Sequence, residues 1–124
     1  MKIYLAHSRH SFDYENELYK PLRASALNTK HEIILPHEKT ADAVTSKEVI
    51  KTCDLVLAEV SYPATGVGIE LGWADAFGKP ILCVYKAGNE IPSSLRFITK
   101  DFIVYSDSGD LISQLDEFLK NKVV

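Results

Sequence analysis

Glu70 lies in the glycine-rich block Gly66-Val-Gly-Ile-Glu-Leu-Gly72, and this is where chemistry is expected first. A carboxylate near a helix start is held ionised by the helix dipole and the free amides of the first turn. The glycines at 66, 68 and 72 let a second molecule approach the backbone closely. Beside a small-molecule crevice, such a carboxylate suits attack on, or stabilisation of, an oxocarbenium-like sugar centre. The plainer role is a simple complement to the dipole, which is common for Glu in a first helical turn. Tyr4, in the first apolar run, and the polar stretch His7-Ser-Arg-His-Ser11 hold the other groups of interest.

Several familiar sites are excluded by spacing. The block reads GxGxxxG, one residue longer than the dinucleotide fingerprint, and it follows the third apolar run, not the first. There is no GxxxxGK[ST] phosphate loop and no G-x-S-x-G elbow. A phospho-receiver domain needs an acidic pair after strand 1 and an aspartate ending strand 3, where this chain has His7-Ser8 and Val60-Ser61. His7, His10, His31 and His37 lack close metal-ligand spacing, and neither Cys53 nor Cys83 has a nearby Cys or His, so no metal or cofactor is expected.

The elements that must position these groups alternate along the chain. Apolar strands are expected at 2–6, 32–36, 54–60, 80–85 and 101–105. Tyr14, Leu18, Leu22 and Ala26 recur at helical spacing, with Ser11 as N-cap and Pro21 expected to kink or split the helix. Residues 46–52 form a short helix. From Val67 a longer helix carries Ile69, Trp73, Ala76 and Phe77 on its apolar face and stops at Gly78 and Pro80. Ser93–Ile98 is one helical turn, and Leu111, Leu115, Phe118 and Leu119 mark a closing helix.

Strands that are apolar throughout, separated by helices, imply a parallel sheet covered on both faces. The expected architecture is a single α/β domain over residues 1–124, flavodoxin-like or Rossmann-like, with strand order 2-1-3-4-5 and helices on both faces. Its switch point would set the loops at 7–11 and 61–66 face to face across one crevice.

The totals fit this picture. One hundred and twenty-four residues, 46% hydrophobic and 25% charged, describe one globular domain able to bury a core without disulfides. A net charge of −3 with no basic cluster argues against a nucleic-acid duplex as partner. Two cysteines 30 residues apart in apolar surroundings read as buried free thiols. With no signal-peptide pattern and no long apolar run, a cytoplasmic location off the membrane is expected.

The segment AEVSYPATGVGIELGWADAFGKPILCVYK resembles the signature of the nucleoside 2-deoxyribosyltransferase superfamily. It is most similar to its 2′-deoxynucleoside 5′-phosphate N-hydrolases, and the resemblance extends back to Lys2–Ser8 and forward to Ser93-Ser94-Leu95. It implies an enzyme that cleaves an N-glycosidic bond of a nucleoside or nucleotide, by hydrolysis first and transfer between bases second. Under the resemblance Glu70 is the catalytic carboxylate and Tyr4 the strand-1 tyrosine that contacts it and positions the sugar. Ser8, with Arg9 and His10, falls in the loop that holds the substrate's 5′ end. Ala64, Thr65, Gly66 and Gly68 fall in the loop and helix start beside the sugar. Ser94 matches a residue lent by the neighbouring subunit, which implies a homodimer or higher oligomer. The apolar Leu95, Phe97 and Ile98 suit a contact surface. For Tyr4 the plainer role is a buried strand aromatic, and for Ser8 and Ser94 a turn or cap hydroxyl.

The departures are specific. The hydrolases have a Gly-Ser-x-Arg-Gly-Gly loop after strand 1, where this chain reads His7-Ser8-Arg9-His10-Ser11. The family's Asp or Ser six residues before the catalytic Glu is Ala64 here. Its second acid aligns with Ser46, with Asp42 the substitute if the loop shifts, and Glu38 and Glu59 weaker ones. A missing acid weakens protonation of the leaving base. The rival expectation is therefore a nucleoside- or nucleotide-binding module of the same fold that has lost catalysis. A domain for protein interaction with no small ligand is a third.

Overall fold

The computed structural model describes residues 1–38 and 46–122. Five strands, β1 Lys2–Ala6, β2 Glu32–Ile34, β3 Leu55–Glu59, β4 Ile81–Lys86 and β5 Asp101–Tyr105, form one sheet in the order β2-β1-β3-β4-β5. Every neighbouring pair is parallel, with Tyr4 beside Val56 and Glu59 beside Val84. The expected α/β architecture and strand order are those observed.

All five residues of β3 are buried, as a central strand covered on both faces requires. Alternation along the strands divides the core in two. Ile3, Leu5, Leu55, Leu57, Leu82 and Val84 pack under the helices α1 Lys20–Ala24 and α5 Ser108–Lys122. Tyr4, Ala6, Val56, Ala58, Ile81 and Cys83 pack under α3 Ser46–Thr52 and α4 Thr65–Ala76. Both cysteines are free and buried. Among the described residues, no helix is long and apolar enough to cross a membrane.

Pro21 does split the first helical run. A π-helical turn, Glu15–Tyr19, precedes α1, which places Pro21 at the start of α1, where its missing N–H costs little. The Glu17 carbonyl, which a regular helix would pair with residue 21, accepts a hydrogen bond from Ser108 Oγ at 2.8 Å instead. A short helix α2, Leu27–Lys30, follows. Ser11 is not an N-cap. It sits in a turn at φ 79°, and the residue capping the π turn is Tyr14.

Two details of α4 also differ from expectation. The helix begins at Thr65, not Val67, after an N-cap, Ala64, that makes no side-chain cap bond. Its buried face is Val67, Leu71 and Ala74, while Ile69 is 49% exposed and Ala76 is exposed. Trp73 and Phe77 only border the core. Gly78, at φ 69°, ends the helix as expected.

Candidate active site

Alternation along β1 decides which side chains can meet. With Ile3 and Leu5 directed to the α1/α5 side, Tyr4 points to the α3/α4 side, buried beneath the first turns of α4. Its hydroxyl donates a short hydrogen bond to Glu70 Oε2. Because α4 starts two residues early, Glu70 stands in the second turn, and the first turn holds no acidic residue. The dipole effect fades within the first turn, so it does not hold Glu70 ionised. Burial raises the Glu70 pKa above its ordinary value, and hydrogen bonds from Tyr4 and Ser46 pull it back. Burial and then the Glu70 charge push the Tyr4 phenol far above its usual range, so Tyr4 remains the donor. The result is a half-buried, unusually basic carboxylate steered by a phenol, able to attack an electrophilic carbon or to exchange a proton.

These groups open onto a crevice of about 1190 Å³ at the carboxyl ends of β1 and β3. Its walls include Tyr4 and Glu70, the loop residues Ser8, Arg9 and His10, and Ala64, Thr65 and Gly66 opposite. The two loops do face each other at the switch point. Ser46, at the head of α3, lines the same space. Ile34, Val49, Ile69 and Trp73 give it an apolar side.

The β1 loop is more closed upon itself than its polar sequence suggests. Ser8 is buried, and its hydroxyl donates to the His10 carbonyl at 2.7 Å and accepts the His10 amide at 3.2 Å. Arg9 and His10 are exposed at the rim. His7 is buried, with Nδ1 2.9 Å from the Ser8 carbonyl and Nε2 2.6 Å from the Tyr19 hydroxyl. A carbonyl only accepts, which assigns the proton to Nδ1 and makes Nε2 the acceptor of the Tyr19 hydroxyl. The Tyr19 oxygen in turn accepts the His37 amide at 3.1 Å. Burial lowers the His7 pKa to about 4, and burial followed by the Arg9 charge lowers that of His37.

Other candidates stand apart. Gly68 and Ser94 are exposed and lie outside this crevice wall, Ser94 in the 3-10 turn Ser93–Phe97. A Cβ at Gly66, Gly68 or Gly72 would meet nothing within 4 Å, so no packing inside the chain demands glycine there. Asp42 lies outside the described residues. Glu38 stands at the crevice edge in a two-pronged ion pair with Arg23, at 2.8 and 2.9 Å. Glu59 shares the parity of Leu55 and Leu57 and is buried on the opposite side of the sheet, so it does not replace the second acid. Among the described residues, no group of three or more His, Cys, Asp or Glu could hold a metal.

Ser46 is offered by the sequence only as the place of a lost acid, yet it lines the crevice beside Tyr4 and Glu70 and lowers the pKa of both. His37 and Ile69 line the crevice without having been expected there, whereas His7 lies in the loop expected to face it. The strand alternation Ile3, Leu5, His7 was the signal that directs His7 away from Tyr4.

A family model described as nucleoside 2-deoxyribosyltransferase matches residues 3–116. A Syntrophotalea carbinolica protein named as a 2′-deoxynucleoside 5′-phosphate N-hydrolase is 49% identical over 72 residues, covering 58% of this chain and 50% of that protein. A Thermofilum pendens protein of the same name is 31% identical over 99% of this chain and 98% of its own. The Mus musculus 5-hydroxymethyl-dUMP N-hydrolase is 54% identical over 38% of this chain and 28% of its own. The chain thus spans half or less of two of these relatives and nearly all of the third. Among solved structures, the Clostridium botulinum CMP N-glycosidase BcmB superposes with a TM-score of 0.69 at 24% identity, over 94% of this chain and 99% of that one, which shows a shared fold.

Proposed function

The chain belongs to the nucleoside 2-deoxyribosyltransferase family, and from that premise we propose that it cleaves the N-glycosidic bond of nucleosides or nucleotides. Hydrolysis to free base and sugar is the favoured reaction, and transfer between bases the second. The observation that carries this reading is the Tyr4–Glu70 contact at the crevice wall. Glu70 bonds to C1′, or stabilises its developing positive charge, as the C1′–N bond breaks and the base leaves with the electron pair. Water or a second base then takes the place of the departed one. Tyr4 holds the reacting oxygen in position, and Ser46 supplies a second hydrogen bond. The test is chromatography of a panel of nucleosides and nucleotides incubated with the protein. Release of free base supports the enzyme, whereas thermal stabilisation by a ligand without turnover refutes it in favour of a binding module.

At the 5′ end we expect no strong demand for a phosphate. A monophosphate carries nearly two charges and is usually bound by converging backbone amides together with an arginine. Here the His10 amide is directed to Ser8 Oγ, and the Ser8 hydroxyl to the His10 carbonyl. Lowered pKa values keep His7 and His37 neutral near pH 7. Arg9 at the rim offers a permanent charge. Turnover of a deoxynucleoside and its 5′-monophosphate should therefore be comparable. A monophosphate preference above about a hundredfold, roughly 2.7 kcal/mol, overturns this expectation.

We also propose that the protein acts as a dimer or higher oligomer in which Ser94 completes a neighbouring site. The exposed Ser94 and the 89% exposed Phe97 beside it support a contact surface there. Sedimentation is expected to show more than the 13.9 kDa monomer. A monomer at micromolar concentration refutes the shared site.

A further inference from the structure

We propose that Glu59 is a positioning residue, fixing from the opposite side of the sheet the turn that starts α4 and so the place of Glu70. The inference rests on Glu70 being the reacting carboxylate.

Glu59 ends β3, is only 1% exposed, and has three donors on its carboxylate. The Ser61 amide donates to Oε1 at 2.5 Å, the Ser61 hydroxyl to Oε2 at 3.0 Å, and the Tyr105 hydroxyl to Oε2 in a short bond. Ser61 is fixed at its remaining polar atoms as well. Its Oγ accepts the Lys86 amide at 2.8 Å, which commits the hydroxyl proton to Glu59, and its carbonyl accepts Asn89 Nδ2 at 3.1 Å. Every polar atom of Ser61 therefore has a partner supplied by the ends of β3 and β4 or the loop after β4.

The next residue is held in the same way. Tyr62 stacks on Phe12 at 4.8 Å between ring centroids, and Lys86 Nζ lies 3.0 Å from its hydroxyl and 2.5 Å from Glu17 Oε1. This ties the β3–α4 loop to the loop after β1 and the π turn that follows it. Only Pro63 and Ala64 then separate the anchored pair from the first residue of α4. Since Ala64 makes no side-chain cap bond, the start of α4 takes its place from this anchor.

The chemistry at the anchor requires an acceptor on both arms. Three donors converge on one buried group, and a carboxylate satisfies all of them. An amide of the same shape would direct an N–H₂ at a donor and leave one bond unmade. Glu59→Gln therefore disturbs the anchor with almost no change in volume.

The test combines hydrogen exchange and turnover on Glu59→Gln. Leu115→Ala, a truncation in the core under α5, is the control for plain destabilisation. In Glu59→Gln, amides at 61–66 should exchange at least about tenfold faster while those at 108–122 keep wild-type rates. Base release per folded molecule should fall at least about tenfold in Glu59→Gln and stay within about twofold in Leu115→Ala. If Glu59→Gln does not fold, Tyr105→Phe removes a single donor and should move both readouts the same way by about threefold. Unchanged exchange at 61–66, or faster exchange with unchanged turnover, overturns the proposal. A wild-type protein that releases no base refutes the proposed reaction, and the exchange arm then still decides whether Glu59 holds the loop.

Discussion

Glu70→Gln should lose at least about a thousandfold in base release, about 4 kcal/mol of transition-state stabilisation, while melting at a higher temperature than wild type at pH 7. The two effects share one cause. Glutamine keeps the side-chain shape and can still accept from Tyr4, but it cannot form a bond to C1′ or balance positive charge there. The stability effect follows from the direction of the Glu70 shift. Burial raises its pKa in the folded protein above the unfolded value, so folding is favoured by the protonated form. That contribution is fully present below the ordinary carboxylate value and is lost as pH rises through the raised one. At neutral pH the ionised Glu70 therefore works against the fold, and a neutral amide removes that cost. The gain in melting temperature should shrink as pH falls through the raised pKa towards the ordinary carboxylate value, and be absent below it. Activity at the wild-type level in Glu70→Gln would remove this residue from the chemistry. A lower melting temperature at pH 7 would contradict the stated effect of burial.

The same residue shows what a sequence does and does not disclose here. The sheet was legible because each strand is a short apolar run, and the order of alternating strands and helices leaves few parallel arrangements. The strand–loop–helix corner at 55–76 was legible from the switch in periodicity, and with it the place of Glu70 on the helix that follows β3. The start of α4 was not, because Thr65 and Gly66 carry no apolar signal and Ala64 no capping group. That two-residue difference puts Glu70 in the second turn, where burial and not the helix dipole governs its charge. The buried stripe of α4 was not legible for a related reason. Val67, Leu71 and Ala74 compete with Ile69, Trp73 and Phe77, and a helix apolar on two sides does not disclose which one meets the sheet. Ile69 and Trp73 face the crevice instead. Ser46 went unrecognised because a hydroxyl at a helix start is usually a cap, and only the fold shows it beside Glu70.

Tyr4→Phe should lower kcat by about 10- to 100-fold at neutral pH, since a hydrogen bond to a charged group contributes about 1.5–3 kcal/mol. The ring remains to fill its place under α4, where Tyr4 is 2% exposed, so the loss reports the hydroxyl and not packing. The pH profile separates this role from a purely structural one. If Glu70 acts as the carboxylate, activity is present above its folded pKa and disappears as pH falls through it. Burial sets that pKa above the ordinary value, and the Tyr4 bond is the larger of the two hydrogen-bond contributions that lower it. Removing the hydroxyl leaves Ser46 as the remaining donor, so the pKa rises further and the acid limb of the profile moves to higher pH. The fold should be little affected, because protonating Glu70 relieves part of the cost of burying it. A rate–pH profile for both proteins checks this directly. An acid limb at the same pH in both, with kcat within about twofold, would show that the Tyr4 hydroxyl does not govern Glu70.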